Sequence, residues 1–180
     1  MKHILVIGGT GMLSTLCSTL ANDWNIVSVI GRNEERHKRI IHNTMNTENV
    51  ESLIVDYSDH FRLKEVLLNS IQLNGQIDVV ISWMDSQESF KYINDLIAKH
   101  TESYQLFHVR GSRRYFEDEQ VQIPNNAQYR KVFLGFILTE NGSRWLTNEE
   151  ISMGVYEAMK LDAVGHVVGT IEPYEKRPGY

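Results

Sequence analysis

The sequence predicts an α/β protein built as a three-layer, doubly wound sheet of about seven mostly parallel strands, with helices on both faces. Three observations lead there. Short apolar runs such as His3-Ile4-Leu5-Val6-Ile7 read as strands buried on both faces. They alternate with stretches whose apolar residues recur every three or four positions, the pattern of a helix lying on a sheet. A strand followed by a helix, repeated, forces parallel pairing, because parallel neighbours need a crossover connection.

Taken in order, the first strand spans residues 3–7. The helix after it runs from Met12 to Ala21, where Leu13, Leu16, Cys17 and Leu20 form one stripe, and Asn22-Asp23 ends it. Strand 26–30, helix 34–45, strand 52–55, helix 61–73 and strand 77–82 continue the alternation. A helix over 90–99 and a strand over 105–109 extend it. Residues 111–128 have no clear period and read as a long irregular connection. Lys131 to Leu138 is expected to form a sixth strand. Thr147 is the expected N-cap of a helix over 148–161, with Glu150 three residues on completing a capping box. Residues 167–171 form the expected seventh strand, and Pro173 and Pro178 mark 172–180 as an extended tail. Residues 1–180 read as one domain.

Composition narrows the function. Of 180 residues, 42% are hydrophobic and 23% charged, which suits a packed core under an ordinary charged surface and excludes disorder, collagen and coiled coil. Eighteen basic against 23 acidic residues give a net charge of −5 without a long basic run, so nucleic acid is not the expected partner. Cys17 stands alone and has no internal disulfide partner. The four apolar residues before Gly8-Gly9 are too few for a signal peptide or membrane span, and together with the lone thiol they lead us to expect a cytoplasmic protein that does not bind membranes. The seven histidines show no metal-ligand spacing, and no metal is expected. His108 reads as a satisfied core or edge histidine rather than a base.

The chemistry lies in the turns. Gly8-Gly9-Thr10-Gly11 sits between the first strand and first helix, where glycines let backbone N–H groups approach a pyrophosphate at the positive end of the helix. The phosphates of a dinucleotide are expected over residues 9–13, including Met12 and Leu13, in a Rossmann arrangement. Ser14, small but not glycine, holds the third glycine position. After the second strand, a NAD site would place an acid on the ribose hydroxyls. This chain instead has Gly31-Arg32-Asn33, and Arg32, with Arg36 as a second cation, suits the 2′-phosphate of NADP(H), which is therefore expected in preference to NAD(H). Arg32 stacked on the adenine without phosphate preference is the alternative. Asp56 and Tyr57, after the third strand, are expected beside the adenine, and a turn or N-cap role for Asp56 stays open. Ser82-Trp83-Met84, ending the fourth strand, is expected beside the cofactor ribose, with a packed core as the alternative for Trp83.

Gly8-Gly9-Thr10-Gly11-Met12-Leu13-Ser14, Gly31-Arg32-Asn33 and Asp56-Tyr57 together resemble the short-chain dehydrogenase/reductase superfamily, in the form of an atypical, shortened member. The resemblance implies that Gly8, Gly11 and Met12 hold the pyrophosphate, that Arg32 selects NADP and that Asp56 meets the adenine. It covers most of the chain, since residues 145–170 are similar to the last helix and strand of that fold. Two departures bear on activity. Ser82-Trp83-Met84-Asp85 replaces the family's Asn-Asn-Ala-Gly segment, and no Tyr-x-x-x-Lys pair, in which Lys lowers the phenol's pKa, follows the fifth strand. Tyr156 and Lys160 have the spacing, with Ser143 thirteen residues upstream, but they fall on the last helix and are set aside. Ser112 and Tyr115 are left as catalytic candidates for polarising a carbonyl. Arg110, Arg113 and Arg114 either hold an anionic substrate or pair with Glu117, Asp118 and Glu119. Two functions follow: an oxidoreductase passing hydride between NADPH and a small carbonyl substrate, or a non-catalytic dinucleotide-binding sensor. The resemblance also suggests a homodimer.

Overall fold

The computed structural model describes residues 1–117 and 120–179. Seven strands form one sheet in the order β3-β2-β1-β4-β5-β6-β9. They are β1 (His3–Ile7), β2 (Ile26–Gly31), β3 (Val50–Ile54), β4 (Val79–Ser82), β5 (Tyr104–Gly111), β6 (Ala127–Leu134) and β9 (Gly165–Val168). Every neighbouring pair in this sheet is parallel. The chain winds outward from β1 in one direction, then returns to β4 beside β1 and winds outward in the other, which puts a crevice at the carboxyl ends of β1 and β4.

Alternation along the strands sorts the core into two layers. Ile4, Val6, Val27, Val29, Val79 and Ile81 face α1 (Ser14–Asn22), α2 (Glu34–His42) and α5 (Asn148–Leu161). Their neighbours Leu5, Ile7, Ile30, Leu53 and Val80 face α3 (His60–Asn74) and α4 (Gln87–Ala98). One sequence period of two therefore supplies both faces. Each fully buried Leu, such as Leu16, Leu63 or Leu67, contributes about 1.5–3 kcal/mol through the apolar area it removes from water.

Differences from the sequence expectation have local causes. Helix α1 starts at Ser14 rather than Met12, because the Ser14 N–H donates to the Gly11 carbonyl and residues 12–13 stay in the turn. Helix α2 ends at His42, where Thr44 Oγ1 donates to the Ile40 carbonyl and the Asn22 side chain accepts the N–H groups of Met45 and Asn46. Helix α4 begins earlier than expected, at Gln87, where Ser86 Oγ accepts the Ser89 N–H. The expected strand 131–138 is two strands: Gly135 breaks it, and β7 (Phe136–Thr139) turns back antiparallel on β8 (Gly142–Trp145). A Cβ at Gly135 would lie 2.0 Å from the Thr170 carbonyl oxygen, so only glycine lets the segment after β9 pass this close. Strand β9 ends at Val168 rather than at 171, at Gly169, whose φ is +75°. In the connection expected to be irregular over 111–128, Ser112–Phe116 forms a 3-10 turn, and β6 already begins at Ala127. The tail carries a single 3-10 turn at Tyr174–Lys176. Among the described residues no helix is long and apolar enough to cross a membrane.

Candidate functional site

Two clefts open at the carboxyl edge of the sheet and meet at Trp83. The first, about 520 Å³, lies between the glycine turn after β1 and the turn after β2. Gly8 has φ +77°, and a Cβ there would lie 2.5 Å from the Trp83 carbonyl oxygen, so residue 8 must be glycine for both reasons. Gly9 is buried beneath the turn, where a Cβ would meet Cys17 Sγ and Val29 Cγ1 at 2.8 Å. A Cβ at Gly11 would find its nearest neighbour, the Gly8 carbonyl oxygen, 3.8 Å away, which leaves this glycine's face open. Helix α1 follows with no side-chain cap at Leu13, so its first-turn N–H groups and its positive end are directed at the turn without a competing anion.

The turn after β2 completes this cleft. A Cβ at Gly31 would sit 2.5 Å from Thr10 Cγ2, so glycine at 31 lets the two turns close on each other. Beneath it the His37 Nε2–H donates to the Gly31 carbonyl at 3.1 Å, and burial lowers the pKa of this histidine. Arg32 and Arg36 both line the cleft. Arg32 Nη1 pairs with Asp56 Oδ2 at 3.2 Å, and Asp56 Oδ1 accepts the N–H and Oγ–H of Ser58. These Ser58 bonds, the backbone one first, and then Arg32 hold the Asp56 carboxyl below its ordinary pKa. Asn33 is the N-cap of α2, its side chain accepting the Arg36 N–H at 3.0 Å.

The second cleft, about 620 Å³, lies on the other side of the glycine turn, bounded by Met12, Trp83, Ser112, Leu134 and the β8–α5 connection. Of the residues expected at a site, Gly8, Thr10, Gly11, Gly31, Arg32, Asn33, Arg36 and Tyr57 line the first cleft, Met12 and Ser112 the second, and Trp83 both. Gly9 and Leu13 are buried under the turn rather than in its lining. Ser82 is buried in β4, where its Oγ has no hydrogen-bond partner. Tyr115 stands edge-on to Phe116 and Phe133, outside the lining of both clefts.

Arg113 and Arg114 pair with Glu117 at 3.0 and 2.7 Å, while Asp118 and Glu119 lie outside the described residues. Arg110 is buried at the end of β5. His108 Nδ1 lies 2.9 Å from the Tyr129 hydroxyl, and its ring stacks on Phe90. Burial first, then Arg110, Lys131 and Arg114, pushes the His108 pKa down to about 3. It is therefore neutral and a poor base at ordinary pH. Tyr156 and Lys160 lie on α5 against Asp23, at the end of α1 remote from the glycine turn: the Tyr156 hydroxyl donates to Asp23, and Lys160 Nζ sits 5.0 Å over the Tyr156 ring.

Met84, expected beside the cofactor with Ser82 and Trp83, lines the first cleft, while sequence reasoning missed Asp85 there and Trp145, Tyr174 and Arg177 in the second. Trp145 pairs with Phe136 at the open end of a hairpin whose two-residue turn is Glu140-Asn141, and the Asn141-Gly142 step after an apolar run is a hairpin signal that could have found it.

The first cleft brings together a glycine turn, a helix end without a side-chain cap and two arginines, a set of groups that could hold an anionic ligand. No protein-family model and no curated protein matches the sequence. Solved structures match by fold. A short chain dehydrogenase from Bacillus anthracis superposes with a TM-score of 0.76 at 12% identity, over 98% of both chains. An apo SCOR enzyme from Clostridium thermocellum gives 0.70 at 15% identity, over 99% of this chain and 95% of the other. A betaketoacyl-[ACP] reductase from Bacteroides thetaiotaomicron gives 0.69 at 11% identity, over 94% and 98%. At these identities the likeness establishes architecture: the chain has the α/β Rossmann-like fold seen in short-chain dehydrogenase/reductase structures.

Proposed function

We propose that this chain binds a nicotinamide dinucleotide across the carboxyl edge of its sheet, NADP(H) in preference to NAD(H), and passes hydride between NADPH and a small carbonyl substrate. The observation that carries the reading is the glycine turn in front of the uncapped α1, with Arg32 and Arg36 on the far wall of the same cleft. The α1 N–H groups would hold the pyrophosphate, and the close contact of Gly31 with Thr10 would form the wall beside the adenosine. Arg32 would exchange Asp56 for the 2′-phosphate, with Arg36 beside it. When bound, the reduced dinucleotide supplies a hydride, and the carbonyl oxygen takes a proton from water to give the alcohol. Ser112, buried at the end of β5, would donate a hydrogen bond to that oxygen. Tyr115, packed on Phe133, is the weaker candidate.

A second reading, a dinucleotide-binding sensor without turnover, is favoured by one observation: the Tyr156–Lys160 pair serves Asp23 on α1 rather than either cleft. Calorimetric titration with NADPH, NADP, NADH and NAD at fixed salt tests the shared part, with tight NADPH and weak NADH binding expected. Steady NADPH oxidation with any member of a carbonyl panel would remove the sensor reading. Binding of none of the four nucleotides would remove both.

A further inference from the structure

The second cleft has a chemistry of its own. Its volume of about 620 Å³ is in the range of small-molecule sites, roughly 300–1,000 Å³. Trp83, Trp145 and Tyr174 give it three aromatic walls, Ser112 adds an aliphatic hydroxyl, and its charged lining residues are Arg113 and Arg177. Among the described residues no carboxylate lines it.

Arg177 is held by an aromatic ring and a backbone carbonyl. Its guanidinium carbon lies 4.4 Å over the Tyr174 ring, and Nη1 donates to the Tyr174 carbonyl at 3.1 Å. Among the described residues no carboxylate pairs with it. A guanidinium fixed by a ring face and one carbonyl keeps further N–H donors in a planar fork, the geometry that takes a carboxylate by two parallel bonds. Arg113 is a weaker second cation: its pair with Glu117 is exposed, and Glu117 is shared with Arg114.

We propose that this cleft takes a ring-bearing carbonyl compound carrying an anionic group, the ring among Trp83, Trp145 and Tyr174 and the anion on Arg177. This substrate class rests on the reading of the neighbouring cleft as a dinucleotide site. Apolar walls alone would accept neutral and anionic rings alike, whereas a guanidinium at the wall, with no carboxylate partner among the described residues, favours the anion.

A matched pair that NADPH does not reduce tests this by binding alone. The full chain would be titrated by calorimetry with 3-phenylpropanoate and with 3-phenylpropanamide, with and without saturating NADP. The acid is expected to bind at least tenfold more tightly than the amide, Arg177→Ala to bring the ratio near one, and Arg113→Ala to reduce it in part. Equal affinities, no binding of either compound, or a preference that survives Arg177→Ala would overturn the inference. The NADP titration is read separately: NADP binding without acid preference sinks the substrate class and leaves the cofactor reading, whereas acid preference without NADP binding leaves an anion-binding cleft and overturns its role as a substrate site.

Discussion

Arg32 pairs with Asp56 at 3.2 Å while its own side chain is 76% exposed, and an exposed pair of this kind contributes only about 0–1 kcal/mol. A doubly charged 2′-phosphate can therefore draw Arg32 away from Asp56 at small cost. Replacing Arg32 by Ala is expected to weaken NADP binding by about 1.5–3 kcal/mol, the value of a charge-assisted contact, and to leave NAD nearly unchanged. Calorimetry on both nucleotides checks this, and equal losses would remove Arg32 as the selector. Asp56→Asn acts in the opposite direction: it releases Arg32 and removes a negative charge beside the phosphate, so NADP should bind more tightly than to the unaltered chain. A second residue-scale expectation concerns packing. Because a Cβ at Gly9 would press on Cys17 Sγ and Val29 Cγ1 at 2.8 Å, Gly9→Ala should cost about 1–3 kcal/mol by overpacking, read as a lowered urea midpoint.

At the scale of single elements, α5 has the strongest start signal. Thr147 accepts the Glu150 N–H and Glu150 accepts the Thr147 N–H, both present as a reciprocal box, and Arg144 on β8 adds two bonds of 2.8 Å to the same carboxylate. Arg144 first, then the Thr147 backbone, lowers the Glu150 pKa to about 2. A folded-state pKa below the unfolded value contributes stability above the unfolded pKa and loses it as pH falls toward the folded one. Stability from this box should accordingly decline between about pH 4.5 and 2, and Glu150→Gln should remove that part of the acid slope in a urea series. Thr147→Ala should cost about 1 kcal/mol at neutral pH as a lost N-cap. This box was legible in the sequence because it is local: three residues, one spacing, one mechanism. The β7–β8 hairpin was not read, although Asn141-Gly142 announces it, because Lys131 and the apolar run 132–138 look like one strand unless the Thr170 backbone crossing at Gly135 is known. That crossing is a long-range contact which no local pattern reports.

The same division holds for the whole molecule. Parallel order and two buried faces follow from the alternation of periods, and the glycine turn follows from its place between β1 and α1. The first cleft could be anticipated because both of its walls are turns after early strands. The second could not, because Trp145, Tyr174 and Arg177 reach it from the last third of the chain, through a hairpin and a folded-back tail. What the assembled sheet adds beyond either cleft is a buried, neutral His108. Its ring stacks on Phe90 and its Nδ1 meets the Tyr129 hydroxyl. Burial and the nearby Arg110 and Lys131 lower its pKa to about 3, against about 6.5 in an unfolded chain. Between those values the unfolded state binds the extra proton and the folded state does not, so stability must fall as pH drops below about 6.5. Buried His37, whose pKa is also lowered by burial, adds to the slope with the same sign. Urea midpoints measured at pH 7.5, 6.5 and 5.5 should decline across the lower interval and change little across the upper one. In His108→Gln the starting stability should be lower, because the stack on Phe90 is lost, but the decline should be shallower. An unchanged slope would mean that another group carries the acid sensitivity of the sheet.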